Sequence, residues 1–271
     1  MPNLNLISVL IFAFAGACFG SFAGVVIDRL FADQDGIFWG RSRCEHTGKL
    51  LQWWEMIPIF SYLGLRGKSA HSGKPIPFWY LAMELTFAVV FGAFAHQFLP
   101  TILQAEYLTP LLTLGALFAA LLLFFYDARH FLVDRRISFP AIALALGWAL
   151  FKENTIDLLI GGAIGFSFYF AQWKISNGKW VGAGDQELGL FMGLLLGWKS
   201  LLWALLLSYI LGSIIAIGMM VGNPKVGLKS ALPMGAFLMP ILILFLLYPQ
   251  KIWALYDQYM ALNDHFLQAL F

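Results

Sequence analysis

The chain has 271 residues, 60% of them hydrophobic and only 12% charged, and its mean hydropathy is strongly positive at +0.76. A soluble domain carries about twice that charged fraction, so a large soluble domain is excluded. The net charge of +2 says nothing about partners, because membrane proteins sort their charge by side and not by sum; no nucleic-acid footprint is visible. A spanning helix needs roughly 20 apolar residues, so the length accommodates several spans and one polar insertion.

Apolar stretches fall at 4–27, 77–99, 107–126, 137–151, 156–173, 186–198, 200–221 and 233–249. The first has no basic residue before it and is too long for a signal peptide, so a retained first helix is expected. Between the first two stretches lies the long polar insertion, residues 28–76. The tail from 250 to 271 mixes Trp253, Tyr256, Tyr259 and Phe266 with scattered charges, as an interfacial amphipathic helix does. The expected fold is all-α: a polytopic membrane protein of about eight transmembrane helices. Residues 1–271 form one integral membrane domain, with the insertion between the first two spans.

With eight spans, fourteen of the 17 Lys and Arg residues fall on one side of the bilayer, leaving Lys152, Lys199 and Lys251 on the other. Lys225 and Lys229 belong to the richer side, as do the seven basic residues of 28–76. The positive-inside rule makes that side cytoplasmic, and both termini face outward.

Carboxylates are costly in a membrane protein, so their positions are informative. Asp127 ends the run Leu121–Tyr126, and Asp185 follows Gly182-Ala183-Gly184 at the start of another apolar run. On this topology both stand at cytoplasmic ends of spans, at similar depth. Two carboxylates at hydrogen-bond distance cannot both ionise comfortably; one keeps its proton. Such a pair can activate water with one member and protonate a scissile carbonyl with the other. Gly182 and Gly184 give room for a peptide against the loop, although a glycine turn capped by Asp also starts ordinary helices. Glu84, seven residues into the second span, needs either a polar interior beside the site or a partner such as Arg29 or Arg66. Ser21 and Ser61 lack His and Asp partners at any suggestive spacing, so a serine mechanism has little support.

Six blocks together resemble the type IV prepilin peptidase family. Tyr126-Asp127-Ala128-Arg129-His130-Phe131-Leu132 with Ser138-Phe139-Pro140 is similar to its first aspartate motif, and Gly182-Ala183-Gly184-Asp185 to its second, GxGD. Gly20-Ser21-Phe22 with Arg29-Leu30, the segment Ile57–Lys68, Glu84, and Pro233-Met234-Gly235-Ala236-Phe237 complete the pattern in the family's order. The resemblance implies a membrane aspartic endopeptidase of the bacterial cytoplasmic (inner) membrane. It cleaves the basic leader of type IV prepilins or pseudopilins after a glycine at the cytoplasmic face. Asp127 and Asp185 are then the catalytic pair, with Gly182, Gly184 and Glu84 as loop and substrate-side residues and no catalytic metal. Many members also N-methylate the new N-terminus with S-adenosylmethionine; proteolysis itself needs no cofactor. The expected partners are the prepilin or pseudopilin substrate and the lipid bilayer.

Three features depart from the family pattern. Many members carry two CxxC pairs in the insertion, where four thiolates hold zinc; here those positions read Cys44, Thr47, Ser69 and Ser72. One thiolate does not complete a tetrahedral site, so no zinc is expected, and packing of Trp53, Trp54, Ile57, Pro58 and Phe60 is expected to hold the insertion. Glu187 stands where the family often has Lys, and an acid there opposes ionisation of Asp185 if it points that way. Arg135 stands where the family tends to have an acid, with Asp134 one position early. Two other readings are an ion-coupled transporter, since intramembrane acids and glycine-broken helices occur there too, and a leader peptidase that cleaves without methylating.

Overall fold

Glycines recur at four-residue spacing in three places: Gly16, Gly20 and Gly24; Gly161 and Gly165; Gly189 and Gly193. In lipid, apolar side chains gain little by leaving acyl chains for each other, and small-residue faces associate by letting backbones touch. In the computed structural model, which describes residues 2–34, 40–44, 46–222, 227 and 232–258, both ends of the chain use this device. The helices are α1 (Pro2–Phe31), α2 (Phe60–Gly64), α3 (Phe78–Leu103), α4 (Leu108–His130), α5 (Arg135–Phe151), α6 (Thr155–Ser176), α7 (Asp185–Gly222), α8 (Gly235–Leu247) and α9 (Pro249–Gln258). Among the described residues the extended backbone amounts to two isolated bridges.

Helices α1 and α3 form one pair and α6 and α7 another, with α4, α5 and α8 between them. A Cβ on Gly16 would lie 2.5 Å from the carbonyl oxygen of Phe87, and one on Gly20 2.9 Å from Cα of Glu84. Gly161 faces Gly193, and Gly165 faces Gly189, each through backbone atoms. Between the seams the core is aromatic and aliphatic: Phe87 stacks on Phe125 at 6.1 Å with Phe118 edge-on at 5.9 Å, and Leu117, Leu121 and Leu188 are fully buried.

The protein is a multi-pass, all-α membrane protein. Five helices are long and apolar enough to cross a bilayer, and the bent pair α8–α9, turned by 99°, raises the number to six. The expected eight are not reached by length and composition, for local reasons. Helix α5 has 17 residues and α8 has 13, while 186–198 and 200–221 fall in the single interval of α7. That interval breaks at Gly197 (φ 75°, ψ 168°), close to the expected division between the two stretches. The part of the tail within α9 packs Tyr256 against Trp203 and Trp253. Tyr259, Phe266, Lys225, Lys229 and residues 35–39 and 45 of the insertion lie outside the described residues.

Of the packing expected to hold the insertion, Pro58 is buried and Ile57 half-buried, but the aromatic residues face outward. Trp53 and Phe60 are 73% and 65% exposed, and Trp54 is exposed as well. Polar contacts do the holding. Two matching turns, Cys44–Lys49 and Ser69–Lys74, are each closed by a pair of 2.8 Å backbone bonds. They meet through Cys44 Sγ and Ser69 Oγ at 3.4 Å. The Ser69 hydroxyl first, then the hydroxyl of Thr47 and the amide of His46, pull the Cys44 thiol down to about 6. His71 Nε2 lies 3.1 Å from Glu55 Oε2.

Candidate active site

Helix α4 ends in polar company because its last turn leaves the apolar run. Asp127 is 4% exposed, and its own carbonyl accepts the Phe131 amide at 2.8 Å, closing the helix with Phe131 in the left-handed region. A buried carboxylate needs donors, and they come from another helix: the Ala236 amide in the first turn of α8 donates to Asp127 Oδ2 at 3.1 Å. Helix N-termini present free N–H groups and a positive dipole end, which suits an anionic oxygen. The approach depends on Gly235, since a Cβ there would lie 2.8 Å from Asp127 Oδ2 and 2.9 Å from Leu188 Cδ1 of α7. The Pro233–Phe237 block of the sequence thus meets the first aspartate.

Asp185 opens α7 and is 6% exposed. Its Oδ2 accepts the Gly182 amide at 2.8 Å, while its own amide donates to the Gly182 carbonyl at 3.3 Å. The glycine turn is therefore folded back on the carboxylate. Leu188, one turn along α7 from Asp185, bridges to Gly235 beside Asp127. The two carboxylates, 58 positions apart in the chain, come together at one end of the bundle. The glycines divide their work: a Cβ on Gly184 would lie 2.5 Å from Cβ of Val133, so its smallness seats the loop against the α4–α5 connection. The space beside Gly182 is open, its nearest neighbour being Asp185 Oδ2 at 3.6 Å.

Glu84 is 8% exposed and holds the insertion rather than pairing with Arg66. Its Oε2 accepts the amide of Ile59 at 2.7 Å. Ile59 sits at φ 65°, ψ −53°, the middle of a three-residue turn closed by the Phe60 amide on the Pro58 carbonyl at 2.6 Å. A β-branched residue there is strained, and the buried carboxylate supplies the bond that fixes the turn against α3.

The departures at 135 and 187 meet each other. Arg135 Nε donates to Glu187 Oε1 at 3.2 Å, and Ser138 Oγ donates to Glu187 Oε2. Glu187 is thereby turned toward α5, consistent with residues two apart on a helix pointing to different faces. An acid at 135 and a base at 187 would make the same contact with the charges exchanged. Asp134 is a helix cap: it accepts the Arg136 amide at 2.8 Å, the Arg136 guanidinium at 2.7 Å and the Tyr126 hydroxyl at 3.3 Å. Among the described residues no cluster of three or more His, Cys, Asp or Glu is arranged to hold a metal ion. The facing pair in the insertion, one thiol and one hydroxyl, does not fit zinc.

The reading order of the chain hid two features of this arrangement. Gly235 could have been found from its block, but its contact with Asp127 spans 108 positions. The four-residue glycine spacing was present in the sequence as the signal for the two seams.

Comparison with known proteins agrees with this arrangement. The profile described as "Type IV leader peptidase family" matches residues 113–217, and the "Bacterial Peptidase A24 N-terminal domain" matches residues 14–98. The chain is 33% identical to a prepilin leader peptidase/N-methyltransferase of Myxococcus xanthus over 79% of its own length and 64% of that protein's. It is 32% identical to one from Dichelobacter nodosus over 81% of this chain and 75% of the relative. A Vibrio cholerae protein of the same name is 29% identical over 78% of this chain and 86% of the relative. No solved structure gives a significant match. Nothing in these similarities supports a transporter.

Gly235→Ala forces its methyl group into the Asp127 carboxylate. Peptidase kcat is expected to fall about 10- to 100-fold, the scale of loss when a catalytic group is displaced by an ångström or less, with the helical signal intact; steady-state cleavage beside circular dichroism checks it. Arg135→Glu and Glu187→Arg each leave like charges facing and are expected to lower stability by about 1 kcal/mol or less. The double exchange should recover most of that loss in thermal unfolding.

Proposed function

The chain belongs to the type IV leader peptidase family, and from that premise we propose that it is a membrane aspartic endopeptidase cleaving type IV prepilins or pseudopilins after the glycine that ends their basic leader. The observation that carries this reading is the convergence of two nearly buried carboxylates, Asp127 and Asp185, each held by a backbone amide at one end of the helical bundle.

The chemistry follows from that pair. One carboxylate is ionised and takes a proton from water; the other is protonated and gives its proton to the scissile carbonyl oxygen as the hydroxide adds. As the C–N bond of the tetrahedral intermediate breaks, the carboxylate that took the water proton gives it to the leaving amine, and the other takes a proton back from a gem-diol hydroxyl, which becomes the product carboxyl's C=O and leaves the pair again with one proton. The titration belongs to the pair and not to either residue. The backbone donors of Ala236 and Gly182 fix the carboxylates before substrate arrives, which keeps reorganisation during the reaction small.

The substrate presents an apolar helix behind a basic leader. In this reading the helix enters from the bilayer, and the basic leader stays at the cytoplasmic face of the inner membrane, where the paired aspartates are placed. Residues 1–271 act as one peptidase domain, and the 28–76 insertion lies at the cytoplasmic face, tied to α3 by the Glu84–Ile59 bond. Gly182 lies open to a passing peptide backbone, and Gly184 seats its loop. N-methylation of the new N-terminus with S-adenosylmethionine as methyl donor is proposed as a second activity, because the similar relatives carry that name.

Asp127→Asn and Asp185→Asn each remove the proton exchange while preserving shape. Either is expected to reduce leader cleavage by about 10⁴-fold or more, measured on a prepilin in liposomes with folding checked by circular dichroism. Turnover near the wild-type rate in either variant would remove that residue from the mechanism.

A further inference from the structure

Residues 131–134 join α4 to α5, and Val133 among them is the seat of the second aspartate's loop. A Cβ on Gly184 would lie 2.5 Å from Cβ of Val133, so the turn that starts α7 follows any movement of this connection. Asp185 moves with it, because its Oδ2 is bonded to the Gly182 amide of the same turn. A connection this short beside two carboxylates has to be fixed, and α1 grips it from both sides. Before it, Arg129 Nη1 donates to Asp28 Oδ1 at 2.5 Å, and the other oxygen of Asp28 accepts the Tyr80 hydroxyl at 2.6 Å. After it, the Arg136 guanidinium donates from Nη1 to Asp33 Oδ1 at 2.8 Å and from Nη2 to the Leu30 carbonyl at 2.7 Å. The same Nη2 donates to Asp134 Oδ2 at 2.7 Å, and Nε to Asp134 Oδ1 at 3.1 Å.

These bonds are unequal. The Asp33 side chain is 88% exposed, and an ion pair so open to solvent contributes little. The Leu30 carbonyl is among the last of α1, where the helix end favours a cation. The Asp134 carboxylate is 12% exposed, and the planar fork of Arg136 meets it with two nitrogens at once. Asp134 also accepts the hydroxyl of Tyr126, the residue before Asp127, at 3.3 Å. We propose that Arg136 is a positioning residue of the peptidase site: it locks the α4–α5 connection to the end of α1, so that Val133 holds the glycine turn, and with it Asp185, in place beside Asp127. Its action on the carboxylates passes through Val133. Capping α5 needs only Asp134, whose Oδ1 accepts the Arg136 amide at 2.8 Å. The reach of the guanidinium to Leu30, 106 positions away, adds the tie to α1 that capping does not require. The inference rests on the reading of Asp127 and Asp185 as the catalytic pair.

Arg136→Ala, Val133→Ala and the double variant test it, with Asp127→Asn run alongside. The assay measures cleavage in liposomes of a synthetic substrate of basic leader, glycine and apolar helix. Each single variant is expected to lower kcat about 10-fold, the scale of a displacement well under an ångström, with KM within about twofold. Because Arg136 acts through Val133, the two losses do not multiply, and the double variant falls only to about the level of the worse single one. Arg136→Lys keeps the charge without the fork, and it replaces Arg136→Ala in the cycle should circular dichroism show that variant unfolded. A guanidinium that only stabilises the fold predicts a lower melting temperature with kcat unchanged below it. That result, or single losses that multiply to about 100-fold in the double variant, with Asp127→Asn silent, overturns this inference and leaves the catalytic pair standing. Wild-type turnover by Asp127→Asn overturns both.

Discussion

A carboxylate inside a helical bundle this apolar survives only where hydrogen-bond donors are fixed around it, and here the backbone provides them. Asp127 caps the first turn of α8, and Asp185 is wrapped by the turn that starts α7. Neither donor is a side chain that could swing away or titrate. Both exist because glycine allows the approach: Gly235 lets α8 reach Asp127, and Gly184 lets the α7 turn settle against Val133. The site is therefore a product of helix ends, and the bundle's task is to bring those ends to one place. The seams do this by fixing the register of α1 on α3 and of α6 on α7.

Much of the candidate site was legible because acids in apolar sequence are rare and their flanking residues specific. Asp127 and Asp185 stood out at the ends of apolar runs, and the helical, multi-pass class followed from composition. What stayed hidden depended on contacts between distant positions. The acid at 187 looked like an electrostatic threat to Asp185 until the fold turned it toward Arg135, an apparent departure of its own. Two mismatches read separately along the chain are one ion pair in space. Helix count was obscured for a different reason: apolar runs do not reveal whether a break such as Gly197 separates spans or bends one interval.

The insertion was misjudged through its tryptophans. Packing of Trp53, Trp54, Ile57, Pro58 and Phe60 was expected to hold it, yet Trp53, Trp54 and Phe60 face outward. The segment next to a membrane has no need to hide them, since aromatic side chains favour the water–lipid boundary. The loop keeps its shape through two repeated turns, the Cys44–Ser69 contact and the buried Glu84 carboxylate under Ile59. A polar anchor from a spanning helix thus takes the place of a hydrophobic core too small to form, and it ties the insertion to the bundle that carries the aspartates.

The most direct measurement of whether Asp127 and Asp185 form one site uses a non-cleavable leader-junction peptide with a hydroxyl-bearing tetrahedral carbon at the scissile position and a photoreactive group beside it. Mimics of the transition state bind far more tightly than substrate when the catalytic groups converge on that carbon. Competitive inhibition of cleavage, with label on both the α4 end around Asp127 and the α7 start around Asp185 and lost in either Asn variant, is the result expected. Label confined to one of the two segments, or undiminished by both substitutions, would contradict a shared site.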